Sequence, residues 1–156
     1  MSDSVTVERN IAAAPQAVWA LVSDVTRMGE FSPENVGCEW IGDRHEPVVG
    51  ARFRGTNRNG KRQWKTTCTV VQCEPARIFA FEVTAAGLRV ARWEYRFDST
   101  DGGGCRVTET WIDQRGKLAT WLGGSVSGVR DREGHNRTGM VKTLERVAAA
   151  AEGRPA

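Results

Sequence analysis

Residues 91–99 read ARWEYRFDS. Ala91, Trp93, Tyr95 and Phe97 fall on one side of a two-residue alternation, and Arg92, Glu94, Arg96 and Asp98 fall on the other. Strict period two over this length marks a strand with one dry face and one wet face. Something must cover the dry stripe of three aromatic rings. Either the rings are packed into a filled core, or they line a hollow that holds a guest.

The same periodicity continues on both sides of this stretch. VTVERNI at 5–11 reads as a first strand, and VGCEWIG at 36–42 as the next. ARFRGTNR (51–58) and RQWKTTCTVVQC (62–73) flank Asn59-Gly60, a strong hairpin signal because both residues tolerate positive φ. IFAFEVT (78–84) and VARWEYRFDS (90–99) flank Ala85-Ala86-Gly87, and CRVTETWI (105–112) follows the turn at Asp101-Gly102-Gly103-Gly104. Consecutive hairpins make an antiparallel meander.

Two stretches have helical spacing instead. Pro15 opens a short helix with an apolar stripe at Ala14, Val18, Leu21, Val22 and Val25, ended by TRMGEFSP with its Gly29 and Pro33. From Val129 to about Ala151 a longer helix carries Met140, Leu144, Val147 and Ala151 in one row, with Val141 and Ala148 beside it. Stepping back by four residues extends the row to Asn136 and Arg132. Gly153 suits the helix end. The fold class is therefore α+β: a curved antiparallel sheet of about seven strands wrapped around the long C-terminal helix, its dry face needing that cover. Short helices after strand 1 close one end. The segment 117–128, with Gly123, Gly124 and Gly128, reads as a loop with a helical turn and a candidate gate.

The bulk composition fits a single domain over 1–156, with 40% hydrophobic and 26% charged residues. No apolar run approaches the roughly 18–20 residues that span a bilayer. MSDSVTVERN lacks a basic stretch followed by an apolar one, so the expected compartment is the cytoplasm. Cys38, Cys68, Cys73 and Cys105 form no CxxC pair and read as reduced thiols. No metal-ligand cluster, hydrolase triad or phosphate-cradling loop appears, and no cofactor is implied.

ERNIAAAPQAVWALVSDVTRMGEFSPE at 8–34, GARFRGTNRNG at 50–60, ARWEYRFDSTDGGGCRVTETW at 91–111 and HNRTGMVKTLERV at 135–147 carry a resemblance. In these strings and in its element order, the chain resembles the helix-grip superfamily of START-like, or SRPBCC, domains. Within it, the chain is similar to the polyketide cyclase/dehydrase and lipid-transport branch. That resemblance covers nearly the whole chain and implies a cavity between sheet and helix. It is weak for chemistry, because the branch has aromatase/cyclases and hydrophobic-ligand carriers but no universal catalytic motif.

The alternation places Val107, Glu109 and Trp111 on the face that Trp93 and Tyr95 share, and Phe53, Gly55 and Asn57 on the matching face of their strand. Glu109, Arg132, Asn136 and Asn57 can then converge as a polar spot in an apolar surround, the usual make-up of a small-molecule site. The candidate ligand-binding set is Phe53, Asn57, Trp64, Phe81, Trp93, Tyr95, Glu109, Trp111, Arg132, Asn136 and Met140. The catalytic residues are unknown; the candidates are Glu109, Arg132 and Tyr95, with Asn136 beside them. A register slip of one residue would turn Glu109 outward into a surface pair. A Glu109–Arg132 pair bracing strand to helix is equally open. Six tryptophans around a single sheet suit a lined cavity better than a tight core. His45 reads as a loop residue and His135 as a rim residue.

These features give an intracellular binder of a small hydrophobic or amphipathic ligand, lipid, fatty-acyl or aromatic polyketide-like. The alternative is a cyclase or dehydratase acting on such a ligand in the same cavity. Arg52, Arg54, Arg58, Arg62, Lys65, Arg92 and Arg96 raise the question of an anionic partner. Nucleic acid is not expected, because Trp93, Tyr95 and Phe97 point opposite to Arg92 and Arg96. Transient contact with an anionic membrane and a monomeric or homodimeric state remain open.

Overall fold

Period-two alternation along most of the chain produces a single antiparallel sheet in the computed structural model, which describes residues 3–117, 120–121 and 126–155. The strands are β1 (Ser4–Ile11), β2 (Asn35–Ile41), β3 (Arg52–Asn59), β4 (Arg62–Glu74), β5 (Ile78–Ala85), β6 (Leu88–Ser99) and β7 (Cys105–Asp113). Their order is β1-β7-β6-β5-β4-β3-β2, so the two strands that flank the short helices form the two edges. Bulges between Asn35 and Gly37, Val70 and Gln72, and Val83 and Thr84 interrupt the ladders. Each adds bend and twist, which curves the sheet around what it covers.

The hairpins differ in detail from the sequence reading. Asn59 pairs with Arg62, so the turn residues are Gly60 and Lys61, and only Gly60 takes a positive φ (60°). The left-handed requirement thus falls on the residue without a Cβ. Between β5 and β6 the loop is Ala86-Gly87, both with positive φ, as two-residue hairpins of type I′ require.

Helix α1 (Pro15–Ser23) starts with Pro15 and buries Val18, Trp19 and Val22. The Trp19 indole N–H donates to the Ile78 carbonyl at 3.2 Å, so this ring is satisfied core. TRMGEFSP is not simply a helix stop. A 3-10 turn (Val25–Arg27) and a single-turn α2 (Met28–Phe31) occupy it, and Asp24 accepts from the Thr26 amide. Gly29 lies so close to β2 that a Cβ there would sit 2.8 Å from the Val36 carbonyl carbon and oxygen.

Helix α3 (Arg132–Ala151) crosses the concave side of the sheet, touching β1, β7 and α1. It begins three residues later than the sequence suggests, because Asp131 caps it by accepting the Gly134 amide at 3.0 Å. Its end has the expected glycine. Gly153 takes φ 68°, with Gly153 N–H to the Ala150 carbonyl and Arg154 N–H to the Ala149 carbonyl. These are the paired bonds of a Schellman motif. Asn136, Met140, Leu144, Val147, Ala148 and Ala149 are buried. Val141, expected beside the row, is 45% exposed. Ala148, one heptad further on, is 1% exposed.

Candidate functional site

Between α3 and the concave face lies a cavity of ≈ 510 Å³. Every residue in the candidate set borders it: Phe53, Asn57, Trp64, Phe81, Trp93, Tyr95, Glu109, Trp111, Arg132, Asn136 and Met140. Cross-strand register explains much of the wall. Phe81 lies opposite Trp93, Trp93 opposite Trp111, and Tyr95 opposite Glu109, all on the inward face. Phe53 sits edge-on to Phe81 at 5.1 Å and to Trp40 at 5.7 Å. Exposed Lys65, Ala86 and Val126 also line the cavity, placing its mouth at the β5–β6 turn and the chain that precedes α3.

Glu109 points inward and is 2% exposed. Its Oε1 accepts the Tyr95 hydroxyl at 2.8 Å, while Oε2 is buried with no hydrogen-bond partner among the described residues. Burial pushes this carboxyl up to about 8, against a smaller downward pull from the Tyr95 hydrogen bond. Burial, and then the Glu109 charge, raises the Tyr95 phenol well above its ordinary value. Near neutrality the pair is a protonated, or partly protonated, carboxyl held by a neutral phenol.

The expected convergence of Glu109 with Arg132 does not occur. Arg132 instead donates Nη1 to both oxygens of Glu34, at 2.8 and 2.9 Å, and packs its guanidinium 5.9 Å from the centre of the Trp64 ring. His135 Nε2 is 2.7 Å from the same Glu34 carboxylate. Glu34, which the sequence reading missed, therefore ties the α2–β2 connection to the first turn of α3. Arg132 and His135 lie one helical turn apart and share the carboxylate. That spacing is visible in the sequence, but nothing in it locates an acid 98 residues upstream.

A third polar group joins β2, β3 and β4. Asn35 donates to Asn57 at 3.2 Å, and Asn57 donates to the Thr66 hydroxyl at 3.3 Å. Gly55 makes room for it: a Cβ there would lie 3.0 Å from Asn35 Nδ2.

Other candidates fall elsewhere. His45 is in an exposed loop against the Gly42 carbonyl. Of the six tryptophans, Trp64, Trp93 and Trp111 border the cavity; Trp19 and Trp40 pack into the core, and Trp121 is 69% exposed. The count therefore supports a cavity only through three of its members. The four cysteines are free thiols; burial pushes Cys38 up to about 11. Of the suggested gate, Gly123 and Gly124 lie outside the described residues, and Gly128 takes φ 72°. On the convex face, Glu94 pairs with Arg92 and Arg96, each at 3.1 Å. Among the described residues, no group of three or more His, Cys, Asp or Glu is placed to hold a metal ion, and no helix is long and apolar enough to cross a membrane.

The sequence profile of the polyketide cyclase/dehydrase and lipid transport family matches residues 2–152. The chain belongs to this family. A polyketide-cyclase-like protein from Corynebacterium glutamicum, solved in solution, is 32% identical over 98% of this chain and 85% of its own, with a TM-score of 0.55. The Zhui aromatase/cyclase from Streptomyces sp. R1128 is 18% identical, covering 97% of this chain and 94% of its own, with a TM-score of 0.71. Major latex-like protein 151 from Panax ginseng is 11% identical, covering 96% and 97%, with a TM-score of 0.72. The last two share the helix-grip fold. No curated protein sequence matches the chain significantly.

Proposed function

We propose that the chain, acting as one domain over residues 1–156, is an intracellular binder of a small, mostly apolar molecule held between sheet and helix. The observation that carries this reading is the ≈ 510 Å³ cavity with aromatic walls and a few placed polar groups. Phe53, Phe81, Trp93, Trp111 and Met140 supply apolar contact, worth roughly 25 cal/mol per Å² buried before ordering costs. Tyr95 with Glu109 and Asn57, Arg132 and Asn136 would orient the guest. Lipids, fatty-acyl compounds and aromatic polyketide-like molecules fit such a space. Docking on an anionic membrane to collect the guest belongs to the same reading.

Native mass spectrometry and calorimetric titration with a panel of such molecules test the binding. A one-to-one complex lost on Trp93→Ala supports it; no complex across the panel overturns it.

One observation favours the second reading, a cyclase or dehydratase. The Glu109 carboxyl near 8 is poised to give or take a proton at working pH. A Glu109→Gln variant that binds a substrate as well as the parent but no longer converts it supports that reading; unchanged turnover removes Glu109 from it.

A further inference from the structure

Among the described residues that line the cavity, the partly buried arginines are paired and one buried acid is not. Arg132 is bound to Glu34 at 2.8 Å. Arg115, which also lines the cavity, is bound to Asp113 at 2.7 Å. Lys65 is exposed at the mouth. Among the described residues, Arg132 and Arg115 therefore each have an acid, whereas Glu109 has no cation within reach. The rings around it are also the right kind. Trp111 is two residues along the same strand, Trp93 faces Trp111, and Tyr95 faces Glu109. A buried acid among electron-rich rings, with no cation of its own, is complementary to an organic cation.

We propose that the guest is an amine: a hydrophobic molecule whose protonated nitrogen pairs with the Glu109 carboxyl, its apolar body lying along Trp93, Trp111 and Phe81. This rests on the binding reading above and narrows it to a ligand class. The amine is the counter-ion that the fold leaves out. Its arrival converts Glu109 from a protonated acid into an ion-paired carboxylate, so one proton leaves the site as the ammonium enters.

The groups facing Glu109 from the elements around it do not compete for that role. From β6 it meets the Tyr95 hydroxyl, already a donor to Oε1. The titratable groups of α3 that line the cavity are Arg132 and His135, both held by Glu34. From β2 and β4 come the thiols Cys38 and Cys68, both shifted up by burial and neutral through pH 8. The β1 residue paired with Glu109 is Val7.

The test is calorimetric titration of the intact chain with three matched probes: naphthylethylamine, naphthylethanol and naphthylacetate. The amine should bind about tenfold or more tightly than the alcohol at pH 8, and the acetate more weakly than either. Amine affinity should fall about tenfold per unit below pH 8, where Glu109 must first lose its proton, while alcohol affinity stays flat. Runs at pH 7 in phosphate and in Tris should show about one proton released per amine bound. Glu109→Gln should bring the amine down to about the alcohol's affinity and abolish the proton release. The wild-type pH series and proton count carry the test if that variant does not fold. An alcohol that binds as tightly as the amine overturns the proposal and leaves the binding reading standing. No heat from any of the three also overturns it, and the wider ligand panel then decides the binding reading separately.

Discussion

Replacing Glu109 by Gln should change how stability depends on pH. The carboxyl is completely buried, and its protonation midpoint moves from the ordinary 4.5 to about 8. The folded state therefore holds a proton that the unfolded chain has released between those two values. Stability contributed by that proton is full below about pH 4.5 and is lost as pH rises through about 8. At about 1.4 kcal/mol per unit, the loss reaches about 3 kcal/mol at pH 7 and about 5 kcal/mol above pH 8. Gln keeps an oxygen for the Tyr95 hydroxyl and carries no charge to bury. Urea unfolding, followed by tryptophan fluorescence at pH 5, 6, 7 and 8, measures both proteins. The wild-type unfolding free energy should fall relative to the variant's by about 1.4 kcal/mol per pH unit across this window. The Gln amide is left with an unpaired N–H, costing about 1–3 kcal/mol, but this offset is the same at every pH and leaves the slope intact. Parallel curves for the two proteins would refute the reasoning, because they would mean that Glu109 is already ionised in the folded state.

Two further substitutions probe the frame around the cavity. Gly29→Ala should cost about 2 kcal/mol or more, read as a lower urea midpoint, because its Cβ would meet β2 backbone at 2.8 Å, where no side chain can move aside. Glu34→Gln should cost about 1–3 kcal/mol by urea unfolding, since it leaves Arg132 and His135 partly buried without their shared carboxylate. Restoring the acid as Asp, one methylene shorter, should recover only part of that loss.

The legible part of the site was the part set by strand alternation. Glu109, Tyr95, Trp93 and Trp111 sit on the inward face because side chains alternate along a strand, and β6 and β7 carry no bulge between them. Phe53, Gly55 and Asn57 follow by the same rule on β3. The row Arg132, Asn136, Met140 and Leu144 follows from the four-residue step of a helix. Where a local choice depended on neighbours, the reading missed. Val141 and Ala148 are equivalent on the helix surface, yet Val141 is exposed and Ala148 buried, a difference that only what packs over each can set. Asn59 and Gly60 both tolerate a left-handed backbone, but the register of β3 on β4 gives that position to Gly60.

The sequence by itself therefore determined the order of elements, the sidedness of each strand and the helix row that meets the sheet, because periodicity is a property of consecutive residues. Only the tertiary structure decided which charges meet. Glu34 reached Arg132 and His135 across some hundred residues, and that capture left Glu109 with a phenol for company and no cation among the described residues. Pairing of this kind depends on how closely α3 lies over the α2–β2 connection, a distance fixed by packing and written in no single stretch of the chain.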